Sequence, residues 1–303
     1  VLFIHGEDTL IGIQYLLRYH KLRYPLVLDC HMIECASKNK FRKVFRFFFR
    51  KFIAPIIIKN KVPLIRVVDV DYVEKCLGIP LCNTLYLSLG TDTDLFRPDL
   101  LVRSRIREQY GIGKEDFVLM YAGKLDKHKN GLLLAEALKE NFHNRYSRKV
   151  VCLVIGNTEG EYGAKVESLF SESENLMVRL PTQEYLDLPP FYQAADLAVF
   201  PAQCSLSYYD VQACGIPVIL ERIELNEQRT NLKNGFTFNS GDVNDLRSKI
   251  LHCIEMRPDE FDSLCVNSRD NVLKHFDFTP IASRITAILD DEVRRFLDRE
   301  VTL

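Results

Sequence analysis

The stretch DLAVFPAQCSLSYYDVQACGIPVIL, residues 196–220, decides the fold. Leu197 to Phe200 form a short apolar run that reads as a buried strand, and Pro201 stops it. A polar loop follows, then a short helix from about Ser207 to Cys214 with Gly215 as its cap; Pro217 opens a second strand through Leu220. A strand, a helix and another strand joined this tightly make a parallel crossover unit, the building block of an α/β domain.

The same alternation continues on both sides. FVLMYAG, KVVCLVIG and LMVRL upstream and GFTF downstream read as further strands, with helical stretches such as GLLLAEALKENF and YGAKVESLFSES between them. The whole is a doubly wound, Rossmann-like domain. In such a sheet a ligand sits at the carboxyl ends of the strands, here the loops after Ala122, Ile155 and Phe200. Before residue 98 the pattern recurs in fewer units: VLFIHG, a helix through IQYLLRYHKL, YPLVLDCH, a basic helix, VPLIRVV and TLYLSLG. These form a second, partial Rossmann-like domain. The turn-rich LGTDTDLFRPD reads as the linker that ends it. The expected division is 1–98, 99–278 and a terminal helix over 279–303 that packs back toward the first domain.

A chain of 303 residues suffices for two such cores. It opens at Val1 without Met or a signal-peptide pattern, which reads as the interior of a longer protein. No apolar stretch approaches the roughly 20 residues needed to span a bilayer, so a cytoplasmic protein, soluble or peripheral, is expected. The nine cysteines, scattered in apolar surroundings, read as buried and reduced. The seven histidines form no HExxH-like cluster, so neither spacing indicates a metal. Net charge is −1, which argues against a general nucleic-acid binder, yet residues 1–61 carry +8 and the remainder −9.

Chemistry concentrates at two loops. In YAGKLDKHKN, residues 121–130, Gly123 permits a tight turn after the strand, and Lys124 and Lys129 suit a diphosphate. Lysines in any surface loop are also commonly just solvated. In the second loop, backbone N–H groups from Cys204 to Tyr208 and the positive end of the short helix face the same sheet edge. Asp210, one turn into that helix, can accept both hydroxyls of a ribose; the plainer alternative is an acid that only complements the helix dipole.

The ordered set resembles the donor domain of the retaining glycosyltransferases of family 4. Its parts are a strand, Gly-basic-x-x-x-x-Lys and a helix, then DLAVFP, then acid-x-x-A-C-G-x-P-V-I. LSLGTDTDLFRPD is similar to that family's interdomain signature and HFDFTPIASRITAIL to its late Phe-containing segment. The resemblance implies the two-domain GT-B fold. It also implies a nucleoside diphosphate sugar as co-substrate, no other cofactor and no metal. The diphosphate would be held by Gly123, Lys124, Lys129, Ser205, Leu206 and Ser207, and the ribose by Asp210. The family's first glutamate falls on Ala202, so contact with the donor sugar passes to Gln203 and Ser205, or to Ser207. His31, at the strand end of LVLDCH, resembles the histidine that points at the donor sugar and is the catalytic candidate; a neighbouring carbonyl could equally account for it. His5 reads as structural. The Gly-rich loop with which family members begin is not found.

KNKFRKVFRFFFRKFIAPIIIKNK, residues 38–61, has nine basic residues and no acid. Phe41, Val44, Phe45, Phe48, Phe52 and Ile56 recur at helical spacing, with Arg42, Lys43, Arg46 and Arg50 elsewhere on the helix. Either this helix lies on an anionic leaflet, or its aromatic face packs on the first sheet; RNA binding fits the phenylalanines less well. The resemblance thus points to a hexosyltransferase that acts on a glycan or lipid-linked acceptor in cell-surface polysaccharide or glycoconjugate synthesis. A GT-B nucleotide-sugar epimerase and a non-catalytic nucleotide-sugar-binding partner are the alternatives.

Overall fold

The computed structural model describes residues 1–31, 41–202 and 206–301, with the backbone alone for Glu300 and Val301. The chain forms two compact units, Val1–Leu89 with Phe278–Leu303, and Gly90–Asp277. The first boundary falls ahead of the expected 98/99 division because the turn-rich segment is packed rather than loose. Thr91, Thr93 and Phe96 are buried in the second unit, and the Thr91 amide donates to the Phe276 carbonyl there.

In the first unit, β1 (Leu2–His5), β2 (Leu26–Cys30), β3 (Leu64–Arg66) and β4 (Leu85–Tyr86) make a parallel sheet in that order. Every residue of β2 is buried, as a parallel strand covered on both faces requires. Leu26, Leu28 and Cys30 face a core with Leu16, Phe49, Ile53, Ile57 and Leu77. Val27 and Ile65 face Ile281, Ile285, Ile288 and Leu289 of the helix Phe278–Val301, a stripe at helical spacing. Glu292 of that helix is held by Arg295 and Arg299.

The basic helix departs from its expected phase. A π-helical turn, Phe49–Ile53, separates Arg42–Phe48 from Ala54–Asn60, and one extra residue per turn rotates the helix downstream of it. Phe49, Ile53 and Ile57 enter the core, while Phe48 and Phe52 of the expected packing face are exposed together with Phe41, Val44 and Phe47. Residues 38–40 of the stretch lie outside the described residues.

In the second unit, β5 (Phe117–Ala122), β6 (Val150–Ile155), β7 (Leu176–Leu180), β8 (Leu197–Phe200), β9 (Val218–Glu221) and β10 (Gly235–Phe238) correspond to the six expected strands. They pair in the order β10-β9-β8-β5-β6-β7, all parallel. Phe117, Leu119 and Tyr121 face one core, and Val118, Met120 and Ala122 the other, by the alternation of a strand. Asp196, just before β8, accepts from the Val118 amide at 2.7 Å and from Arg107 at 2.7 Å, which fastens β8 to β5. No helix among the described residues is long and apolar enough to cross a membrane. The described cysteines are all free thiols, mostly buried, but Cys82 is exposed, contrary to expectation.

Candidate functional site

The sheet order of the second unit locates its crevice. From β5 the chain proceeds outward to β6 and β7, and from β8 it proceeds the other way to β9 and β10. β5 and β8 are hydrogen-bonded neighbours, through Leu119↔Leu197 and Met120↔Ala198, so their following loops leave the same edge in opposite directions. That is the topological switch point at which an open α/β sheet binds ligands. Lys124 and Lys129 follow β5, and Asp210 follows β8.

The β5 loop owes its shape to close backbone packing. Gly123 (φ +154°) and Gly156 (φ +148°) end adjacent strands, and a Cβ on Gly156 would fall 1.8 Å from the Gly123 carbonyl oxygen. No other residue fits there. Leu125 is buried beneath the loop, and its amide donates to the Asn157 carbonyl. Asp126 accepts from the amides of His128 and Lys129 at 2.8 and 2.9 Å. With the loop so anchored, the Lys124 side chain is exposed and that of Lys129 half-buried.

After β8, Gln203 and Ser205, expected to touch the sugar, lie outside the described residues, as does the phosphate role given to Ser205. Leu206 is exposed and Ser207 half-buried; the helix is Ser207–Ala213, with Gly215 at φ +78° closing it. Asp210 is 5% exposed. The buried Thr91 hydroxyl donates to its Oδ1 at 2.5 Å and the Tyr185 hydroxyl reaches the same oxygen at 3.5 Å. Among the described residues none bonds Oδ2. Burial pushes the Asp210 carboxyl up to about 6, against the opposing pull of the two hydroxyls. At neutral pH it is a largely ionised carboxylate with one oxygen held and one open, which suits a pair of vicinal hydroxyls.

Thr91 and Tyr185 were not expected here. Thr91 sits inside the segment read as linker, and Tyr185 in PTQEYLDL, where no periodicity marks it. The two hydroxyls of GTDTD were the available signal, since both are buried and both bond an acid: Thr93 donates to Asp277.

The first unit has its own cluster. His5 ends β1 opposite Asp29 of β2, and His31 follows β2 directly. His5 Nδ1 lies 2.5 Å, and His31 Nε2 3.0 Å, from Asp29 Oδ2, while the Gly6 amide donates to Oδ1 at 3.0 Å. Burial opposes ionisation of Asp29, but His31, Gly6 and His5 outweigh it and hold its pKa below the usual carboxylate range. The bond to Asp29 raises His31. The partner of His31 is therefore a carboxylate rather than a carbonyl, and His5 shares it. Beside them Glu7 is fully buried with neither oxygen in a normal hydrogen bond; burial first, then Asp8, pushes its carboxyl up to about 8.

Comparison with known proteins gives this architecture a place. Residues 116–256 match the family Glycosyl transferases group 1. The D-inositol 3-phosphate glycosyltransferase 1 of Catenulispora acidiphila is 30% identical over 140 residues, 43% of this chain and 33% of that protein. The UDP-Gal:alpha-D-GlcNAc-diphosphoundecaprenol alpha-1,3-galactosyltransferase of Escherichia coli is 25% identical over 209 residues, 67% of this chain and 53% of that protein. The chain thus spans between a third and about half of the length of these curated relatives. In fold it is similar to a glycosyltransferase from Rickettsia africae, with TM-score 0.76 at 15% identity over 96% of this chain and 77% of that one. It is similar also to Anabaena HepE, solved in complex with UDP, with TM-score 0.75 at 19% identity over 95% and 78%. Residues 116–256 are thus similar to the group 1 glycosyl transferases, and the chain has the fold of GT-B glycosyltransferases.

Proposed function

We propose that the protein moves a hexose from a nucleoside diphosphate sugar to a glycan or lipid-linked acceptor. The observation that carries this reading is the pairing, at one switch point, of the loop after β5 that holds Lys124 and Lys129 with a buried, half-satisfied carboxylate after β8. Lys124 and Lys129, with the amides of Leu206 and Ser207, would receive the diphosphate, and Asp210 the ribose hydroxyls; the Gly123 amide, also expected there, donates instead to the Ile155 carbonyl, so Gly123 serves the turn. As the bond from the anomeric carbon to the diphosphate breaks, its electron pair passes to a phosphate oxygen; the acceptor hydroxyl oxygen bonds that carbon, and its proton passes to the departing diphosphate. Fixed cationic groups stabilise that charge as it builds, which is usually the largest share of such catalysis. Transfer would proceed with retention, without a metal and without a side-chain nucleophile. His31 is assigned to the transferred sugar, and Gln203 and Ser205 to contacts with it.

The exposed Phe41, Val44, Phe47, Phe48 and Phe52, among basic residues with no acid, favour an anionic membrane surface as a partner, at about 1 kcal/mol per basic residue near it. A lipid-linked acceptor in cell-surface glycoconjugate synthesis, with the protein at the inner face of the membrane, accords with this.

The test is the full chain with a panel of nucleoside diphosphate sugars and lipid-linked acceptors, read as acceptor-dependent release of nucleotide. K124A/K129A should retain the fold and lose about 100-fold or more in turnover. Ala202, in the position of the family's first glutamate, favours a second reading, a nucleotide-sugar-binding partner without turnover. Tight donor binding with no release on any acceptor would establish that reading and sink transfer.

A further inference from the structure

Asp29 Oδ2 is shared by two imidazoles that approach from different chain segments. The three ligand-type atoms, His5 Nδ1, Asp29 Oδ2 and His31 Nε2, all lie within 4.8 Å of one another. We propose that His5, Asp29 and His31 form a binding site for a divalent transition-metal ion such as Zn2+, and that its occupation withdraws His31 from substrate.

Two neutral imidazoles and one carboxylate are a ligand set that zinc and its neighbours accept, with remaining positions open to water. Metal–ligand bonds of about 2.1 Å in tetrahedral geometry need ligand atoms about 3.4 Å apart. The present separations of 2.5 and 3.0 Å from Oδ2 require the rings to draw back from it by less than about 1 Å. The means exist, since the His5 side chain is 72% exposed and that of His31 42%, while Asp29 is fixed at 4%. The carboxylate has the support that metal ligands ordinarily receive: the Gly6 amide holds Oδ1 and leaves Oδ2 to the rings. β1 and β2 are parallel neighbours in direct register, His5↔Asp29, so sheet pairing itself sets two of the three ligands. On binding, the N–H protons now directed at Asp29 move to the other ring nitrogens, and any imidazolium proton leaves to solvent.

The site stands whether or not the protein is a glycosyltransferase. Its test uses the full chain, reduced and stripped with chelator, then titrated with Co2+ and with Zn2+ against a chromophoric chelator. Wild type should bind one equivalent of Zn2+ that H5A and H31A each weaken at least tenfold, with far-UV dichroism unchanged. The Co2+ spectrum should show d–d bands without a thiolate charge-transfer band. Equal affinity in wild type, H5A and H31A overturns the proposal, and so does a charge-transfer band, which would assign the ion to cysteines. The withdrawal of His31 rests on the proposed function, whereas binding of the bare nucleoside diphosphate by the second unit should be indifferent to the ion, so loss of one property does not mimic loss of the other.

Discussion

Asp29 and Asp210 are both buried carboxylates near the carboxyl edge of a parallel sheet, one in each unit, and their surroundings shift them in opposite directions. Asp29 receives a backbone amide and two imidazoles, the latter able to carry positive charge, and is held in its ionised form. Asp210 receives only hydroxyls, directed to one oxygen, and burial wins. Equal burial therefore does not make equal chemistry. A carboxylate bonded on both oxygens has its burial compensated from within the fold, whereas one bonded on a single oxygen pays an uncompensated desolvation cost that a ligand with donor hydroxyls can relieve.

The sharpest break between the two comes from D210N. Nucleotide affinity should fall about 100-fold, the loss of two hydrogen bonds to a charged acceptor. The unliganded protein should at the same time become more stable, by up to about 3 kcal/mol at pH 7, since a carboxyl that burial pushes up to about 6 opposes folding once ionised. Isothermal titration and urea unfolding read the two effects. A destabilised D210N would show that Asp210 is structural.

D29N should do the reverse. Removing the charge weakens three hydrogen bonds to a buried acceptor at once, so the first unit should lose about 2 kcal/mol, seen as a lower urea midpoint. Nucleotide affinity should stay within about twofold, because Asp29 belongs to the other unit. A parallel drop in affinity would dissolve the distinction between the two carboxylates.

Much of this was legible in the sequence, and the reasons differ by region. The strands of the second unit announce themselves because each is a run of apolar residues buried on both faces, and their ends locate the Lys124 and Asp210 loops without reference to tertiary contacts. Thr91, Tyr185 and the His5–Asp29–His31 cluster could not be read this way. Each depends on pairing between segments distant along the chain, Thr91 with Asp210 and His5 with Asp29, which only the sheet register and the packing of the turn-rich segment create. The basic helix failed for a third reason. Its aromatic residues occur so densely that two faces are apolar, and the π-helical turn after Phe48 selects Phe49 and Ile53 for the core. Composition cannot choose between them.

Acidity separates the sites next. Donor hydroxyls need the ionised form of Asp210, so nucleotide affinity should be nearly full above about pH 7, about halved at pH 6 and about tenfold lower at pH 5. Stability of the unliganded protein moves the opposite way: the folded state holds a proton that the unfolded chain has released between about pH 4 and 6, so stability declines as pH rises through that window. The ionisable neighbours Tyr185, Tyr192 and Cys214 are all raised by burial, Tyr185 and Cys214 to about 12, and do not titrate there. Because phosphate groups of the ligand titrate nearby, D210N is the control. A profile it shares with wild type would assign the effect to the nucleotide.

The smallest effect is the most specific. T91V removes the shorter of the two bonds to Asp210 Oδ1 and substitutes a methyl of similar size for the hydroxyl, so the fold should persist. Affinity at pH 8 should drop only about fivefold, on the order of 1 kcal/mol for one hydrogen bond that positions the carboxylate without touching ligand. The pH midpoint should nevertheless move upward, because the hydroxyl was opposing the burial that raises Asp210. T91S, which keeps the hydroxyl, should restore both. A residue that merely fills space would change affinity at every pH alike, so an unmoved or lowered midpoint in T91V would remove Thr91 from the site and leave Asp210 to be held by Tyr185 alone.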